Sequence, residues 1–94
     1  MTSIKKDPTF GELLEFPCDF SLRIIGADSD ETERDILRTV REKFALEPIF
    51  PVTRARSSKK TYAAFRLSLR VESEKQLRSL YAELGKISGV KYVL

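Results

Sequence analysis

Between Tyr62 and Val71 the chain alternates without a break: Ala63, Phe65, Leu67, Leu69 and Val71 stand at one parity, Tyr62, Ala64, Arg66, Ser68 and Arg70 at the other. A period of two defines a β-strand with one dry face and one wet face. A slip of one residue would turn both arginines inward, so the register of this strand is firmly set. Burying Phe65, Leu67, Leu69 and Val71 contributes about 1.5–3 kcal/mol each, which together rivals the net stability of a small domain, roughly 5–15 kcal/mol. The fold of a chain of 94 residues has to be organised around such a strand.

With 41% hydrophobic and 33% charged residues, the chain suits one globular domain and has no room for two cores. Residues 1–9, polar and containing Pro8, read as a flexible leader, and 10–94 as a single domain. No apolar run approaches the ~18 residues of a membrane span. The start, Met1 to Pro8, lacks the apolar centre of a secretion signal, so a cytoplasmic location without membrane attachment is expected. One cysteine, Cys18, excludes an internal disulfide. The absence of histidine excludes the usual zinc and copper sites and every histidine-dependent catalytic dyad, and no cofactor is implied.

The net charge of +3 is unevenly placed. Basic and acidic residues number two against four in 1–20, five against seven in 21–47, six against none in 48–71, and four against three in 72–94. The cations of the third block are Arg54, Arg56, Lys59, Lys60, Arg66 and Arg70, a lobe suited to an anionic partner, or else a solvated hairpin that resists edge aggregation. The hairpin side chains read as solvated, so serine in place of Arg54, Arg56, Lys59 and Lys60 is expected to leave stability almost unchanged.

Phe10, Leu13, Leu14 and Phe16 precede Pro17 at spacings that one helical turn brings together. They read as a plug over the end of the sheet, or as an exposed docking segment. Cys18 to Gly26 is the first strand, with Phe20, Leu22 and Ile24 inward and Arg23 and Ile25 outward. Gly26 to Asp30 turns into a helix whose capping box is Asp30 with Glu33, or Ser29 with Thr32. Ile36, Leu37, Val40 and Phe44 give its apolar stripe, which ends near Ala45. Pro48 to Thr53 alternates like a strand, and its two prolines confine it to an edge. Arg54 to Thr61, which lacks glycine, is then the hairpin connection, of four residues or more. A second helix opens on Ser73 and Gln76, carries Leu77, Leu80, Tyr81 and Leu84, and is expected to close on Gly85. Gly89 to Leu94 supplies the last strand.

The order β-α-β-β-α-β predicts an α+β fold, the ferredoxin-like two-layer plait, with two helices on one face of a four-stranded antiparallel sheet. The strands of Phe20 and Tyr62 take the centre, those of Pro48 and Val90 the edges. The uncovered face then carries Arg23, Ile25, Tyr62, Ala64, Arg66, Ser68 and Arg70.

Leu13-Leu-Glu-Phe-Pro17, Ile25-Gly26 at the end of the first strand, Ser57-Ser-Lys59 with Tyr62, Leu80-Tyr-Ala-Glu-Leu-Gly-Lys-Ile87 and Val93-Leu94 together resemble the YbeD-like family of small bacterial proteins. The resemblance runs from about Phe10 to Leu94. It implies the same plait, similar to the ACT-type regulatory domains of amino-acid enzymes, and brings no catalytic residues. It also implies a module that works as a monomer or a side-by-side homodimer, and that senses a small metabolite near Gly26 to Asp30 or docks on another protein; the basic block, independently, predicts that such a partner is acidic at its contact. The alternative is nucleic-acid binding through Tyr62, the arginines of the open face and the basic hairpin. Against it, Ala64 and the first strand offer no further ring. An enzyme is the third class, and no spacing here converges an acid and a base on a pocket.

Overall fold

The computed structural model describes residues 15–56 and 61–94. Strand β1 (Cys18–Ala27) leads into helix α1 (Asp30–Phe44), strands β2 (Thr53–Arg56) and β3 (Tyr62–Val71) follow, and helix α2 (Glu74–Gly85) and strand β4 (Val90–Val93) complete the chain. The sheet is antiparallel in the order β2-β3-β1-β4, so the two long strands are central as expected. The fold is the ferredoxin-like βαββαβ plait.

The alternation in β3 is realised along its full length: Ala63, Phe65, Leu67, Leu69 and Val71 are buried. Leu22 and Ile24 of β1 oppose Leu67 and Phe65 in the ladder. Ile36 and Val40 of α1, with Leu77, Leu80 and Leu84 of α2, close the same core from above. Phe16 and Phe20 pack at its margin. Tyr81 also packs there, where burial raises its phenol above the usual tyrosine range.

Local signals were realised with three corrections. Helix α1 is capped by Ser29, whose Oγ accepts from the Thr32 backbone N–H at 3.2 Å. Asp30 and Glu33 are therefore not the capping pair, and both carboxylates are engaged elsewhere. Helix α1 ends on Ala45 in the left-handed region (φ 54°) without the help of glycine. Helix α2 has the expected Ser73 cap, Ser73 Oγ accepting from the Gln76 N–H at 3.1 Å while Gln76 Oε1 accepts from the Glu72 N–H at 2.8 Å. It does not close on Gly85, which stays helical; the cap is Lys86 in right-handed conformation, held by bonds to the Glu83 and Leu84 carbonyls. No left-handed residue is needed there.

The third correction concerns the edge. The expected strand over Pro48 to Thr53 begins only at Thr53, and Arg54, assigned to the connection, lies inside it. Pro48 and Pro51 have no N–H to donate, and the intervening Ile49 makes one bond, to the Ser68 carbonyl at 2.8 Å. The segment is thus tethered beside β3 without forming a ladder. Val52 packs on the core, whereas Phe50 is 66% exposed.

Candidate functional site

Register decides what the basic block can do, because the sheet distributes its cations between two faces. Arg54 and Arg56 oppose Phe65 and Ala63, which places them on the side covered by helices. Arg66 opposes Thr53 and Arg23 on the other side, and Arg70 opposes Asp19 there. Among the described residues, the four arginines of the block therefore do not share one surface.

On the helical side Arg54 is an ionic hub. Its Nη1 donates to Asp28 Oδ1 at 3.1 Å, and its Nη2 to Asp30 Oδ1 at 2.7 Å and Glu33 Oε1 at 3.0 Å. Its guanidinium carbon lies 5.6 Å from the centroid of the Phe65 ring. Arg56 Nε meets the second oxygen of Asp28 at 2.7 Å. Edge strand β2 is thereby tied to the β1–α1 turn and the first turn of α1. The hydrogen bond from Arg54 holds the Asp30 carboxyl below the usual carboxylate range, and Lys43 does the same to Glu83, 2.8 Å away.

The expectation that the hairpin arginines are solvated is therefore corrected for Arg54, whose side chain is only 20% exposed, while the Asp28 side chain is 9% exposed. Asp28→Ala removes the acceptor shared by two guanidiniums. Hydrogen bonds to charged groups contribute roughly 1.5–3 kcal/mol, so a loss of about 2 kcal/mol and a fall in Tm of about 8–16 °C are expected by calorimetry. For Asp30 and Glu83, whose carboxyls are depressed in the folded state, the sign is fixed: they stabilise above the ordinary carboxylate range, and that stabilisation disappears as pH falls through their folded values. An Asp28→Ala melt within about 2 °C of wild type would show these pairs to be screened.

The other face of the sheet is uncovered among the described residues. Its rows run across the strands. Asp19 and Arg70 pair at 3.0 Å, and in the next row Ser21 and Ser68 share a hydrogen bond of 2.9 Å. Beyond them Arg23 and Arg66 stand directly opposite each other, flanked by Thr53 on β2 and, through reciprocal backbone bonds to Arg23, by Leu94. The following row is apolar: Ala55, Ala64, Ile25 and Tyr92. An open depression of about 560 Å³ is floored by Ser21, Arg23, Arg66 and Ser68, with Phe50 and Leu94, 66% and 58% exposed, among its lining. It is a shallow surface in which no acid and base converge.

Of the other residues singled out from the sequence, Phe10, Leu13, Leu14, Lys59 and Lys60 lie outside the described residues. Phe16 is half-buried against the core. Tyr62 is on the open face as expected, with Lys91 Nζ 4.9 Å from its ring centroid. Sequence reasoning missed Tyr92 and Phe50. Tyr92 stands on this face opposite Ile25, next to a register shift that sets Val90 and not Lys91 against Gly26. Among the described residues no cluster of three or more acidic, cysteine or histidine side chains is arranged to hold a metal ion, and no helix is long and apolar enough to cross a membrane.

This geometry can be set beside known proteins. Residues 11–94 match the family model described as a protein of unknown function, DUF493. The chain belongs to the DUF493 family. A UPF0250 protein of Shewanella woodyi is 40% identical over 88 residues, covering 94% of this chain and 98% of its own length. A UPF0250 protein of Shewanella halifaxensis is 39% identical with the same coverage. Among solved structures, a Helicobacter pylori protein superposes with a TM-score of 0.69 over 100% of this chain and 94% of its own, at 22% identity. The ACT domain of a GTP pyrophosphokinase from Chlorobium tepidum gives 0.60 at 25% identity, covering 82% of this chain and 97% of that domain. The YbeD-like resemblance and the ACT-like fold expected from the sequence are thus shown for this DUF493 protein.

Proposed function

We propose that this DUF493 protein is a non-catalytic interaction module whose open sheet face docks a partner protein that is acidic at its contact. The observation that carries the reading is the composition of that face: exposed apolar groups at Phe50, Tyr92 and Leu94 border two arginines without a carboxylate partner among the described residues. Such a surface gains from contact with a complementary one. The likeness to an ACT domain of a GTP pyrophosphokinase supports an accessory role. Metabolite sensing at Gly26 to Asp30 is less favoured, because Asp28 and Asp30 are already held by Arg54 and Arg56. Nucleic-acid binding is the second reading, and Tyr92, on β4 across β1 from Tyr62, favours it by adding a second ring to the face.

A photo-crosslinking residue at position 92, compared with one at exposed position 82 on α2, tests the proposal in living cells. A discrete protein adduct from position 92 alone, weakened by salt in lysate, is the expected result. Nucleic acid in the adduct would establish the second reading instead, and equal adducts from both positions would remove the open face from the function.

A further inference from the structure

Most arginines of this protein are neutralised internally. Among the described residues Arg38, Arg41, Arg54, Arg56, Arg70 and Arg78 each lie within 3.5 Å of a carboxylate oxygen. Arg23, Arg34 and Arg66 have no such neighbour among the described residues; Arg34 lies on α1, whereas Arg23 and Arg66 are opposed in the ladder of the two central strands. Directly opposite residues of an antiparallel pair have Cβ atoms about 4.5–5.5 Å apart, and like charges in that position destabilise the pair. Two rows away the same strands oppose Asp19 to Arg70, the complementary arrangement. The arginine row is therefore the place on the open face where an added anion relieves a repulsion already present.

We infer that Arg23 and Arg66 together bind one carboxylate of an extended acidic segment of a partner protein, whose residue two positions along is large and apolar and lies over Ile25, Ala64 and Tyr92. The inference rests on the docking reading and supplies its chemistry. Two arginines opposed in one row of the ladder suit a carboxylate, which can accept from both. The apolar row is two residues further along the strands, about 6.8 Å, which is also the spacing of successive same-side residues in an extended peptide. An acidic residue, any residue, then an apolar residue is the pattern that matches both rows.

A single-stranded nucleic acid fits less well. Its next phosphate would fall over the apolar row on one side, or over the Ser21–Ser68 row on the other, and neither row carries a cation. The Tyr62 ring, the natural stacking surface, has the Lys91 ammonium against it.

The test uses the full chain and a fluorescent synthetic peptide that repeats Glu-Thr-Leu-Thr, with Gln-Thr-Leu-Thr and Glu-Thr-Ser-Thr repeats and oligothymidylate as comparisons. At low salt the first peptide should bind, shift the backbone amide signals of residues 21–25 and 64–68, and bind at least about tenfold more tightly than either peptide comparison. Arg23→Gln with Arg66→Gln should lose that binding while melting at or above the wild-type temperature, since it removes a repulsion. Ser68→Asp, which sets an internal carboxylate diagonal to Arg23 and two residues from Arg66, should lose it as well. The inference is overturned if the Glu-Leu peptide fails to bind, if either variant binds it like wild type, if the double variant melts well below wild type, or if oligothymidylate binds more tightly. A position-92 protein adduct that survives the double substitution would leave docking in place and sink only the arginine assignment.

Discussion

Leu67→Asp prevents this domain from folding, whereas Ser68→Asp, one residue along the same strand, leaves it folded. Leu67 is 3% exposed, faces Leu22 across the ladder, and has no polar side chain among the core residues around it. The substitution forfeits the transfer of a leucine, about 1.5–3 kcal/mol, and buries a carboxylate that costs several kcal/mol more without a partner. Against a net stability of about 5–15 kcal/mol, nothing sufficient remains. Ser68 is on the open face, where its one side-chain bond is to Ser21, and an aspartate there has solvent and nearby guanidiniums for company. A change within about 1 kcal/mol is expected for it. Far-ultraviolet circular dichroism during heating distinguishes the two, and coincident melts would overturn the register on which the description of both faces depends.

That register was legible because it is local. Phe65, Leu67, Leu69 and Val71 announce their own face through a period of two, as Leu77, Leu80 and Leu84 do through a helical period. The order of elements and the two-layer plait follow from such signals. What could not be read depends on residues far apart in sequence. Arg54 bonds to Asp28, Asp30 and Glu33, separated from it by 26, 24 and 21 positions, and no periodicity connects them.

The same error of four or five residues explains the rest. Starting the edge strand at Pro48 left Arg54 in a connection and gave it the solvated character of a loop. Starting it at Thr53, after the last proline, places Arg54 opposite Phe65 and aims it at the first turn of α1. The arginines of the basic block divide between a structural clamp on one face, Arg54 and Arg56, and the open face, where Arg70 pairs with Asp19 and Arg66 meets Arg23 from outside the block. Arg23 and Arg66 were both named from the sequence, yet their opposition is a property of strand pairing, visible only once Ser21 is set against Ser68.

Gly26→Ala destabilises the protein, although a general rule predicts the opposite sign. No described glycine has a positive φ, so alanine is conformationally acceptable, and restricting the unfolded chain would by itself stabilise by about 0.4–1 kcal/mol. Space reverses the outcome. A methyl group on Gly26 would sit 2.6 Å from the Gly89 carbonyl oxygen and 3.2 Å from Val90 Cα. That carbonyl is fixed by the Ala27 N–H at 2.8 Å, so backbone must move, and a loss of about 3 kcal/mol is expected, the upper part of the range for overpacking. Gly89 is crowded differently: its methyl would meet Thr32 Oγ1 at 2.5 Å, a side chain held by Ser29 Oγ at 3.0 Å. The Gly26 methyl also meets Thr32 Cγ2 at 3.3 Å, but its 2.6 Å backbone clash would remain, so Thr32→Ala should rescue more of the loss in Gly89→Ala than in Gly26→Ala, giving the larger coupling, roughly 1 kcal/mol, in the first double-mutant cycle. Urea unfolding of the single and double variants measures both cycles. Gly26→Ala at or above wild-type stability would mean that β1 and β4 do not approach as closely as the Gly26–Gly89 contact requires.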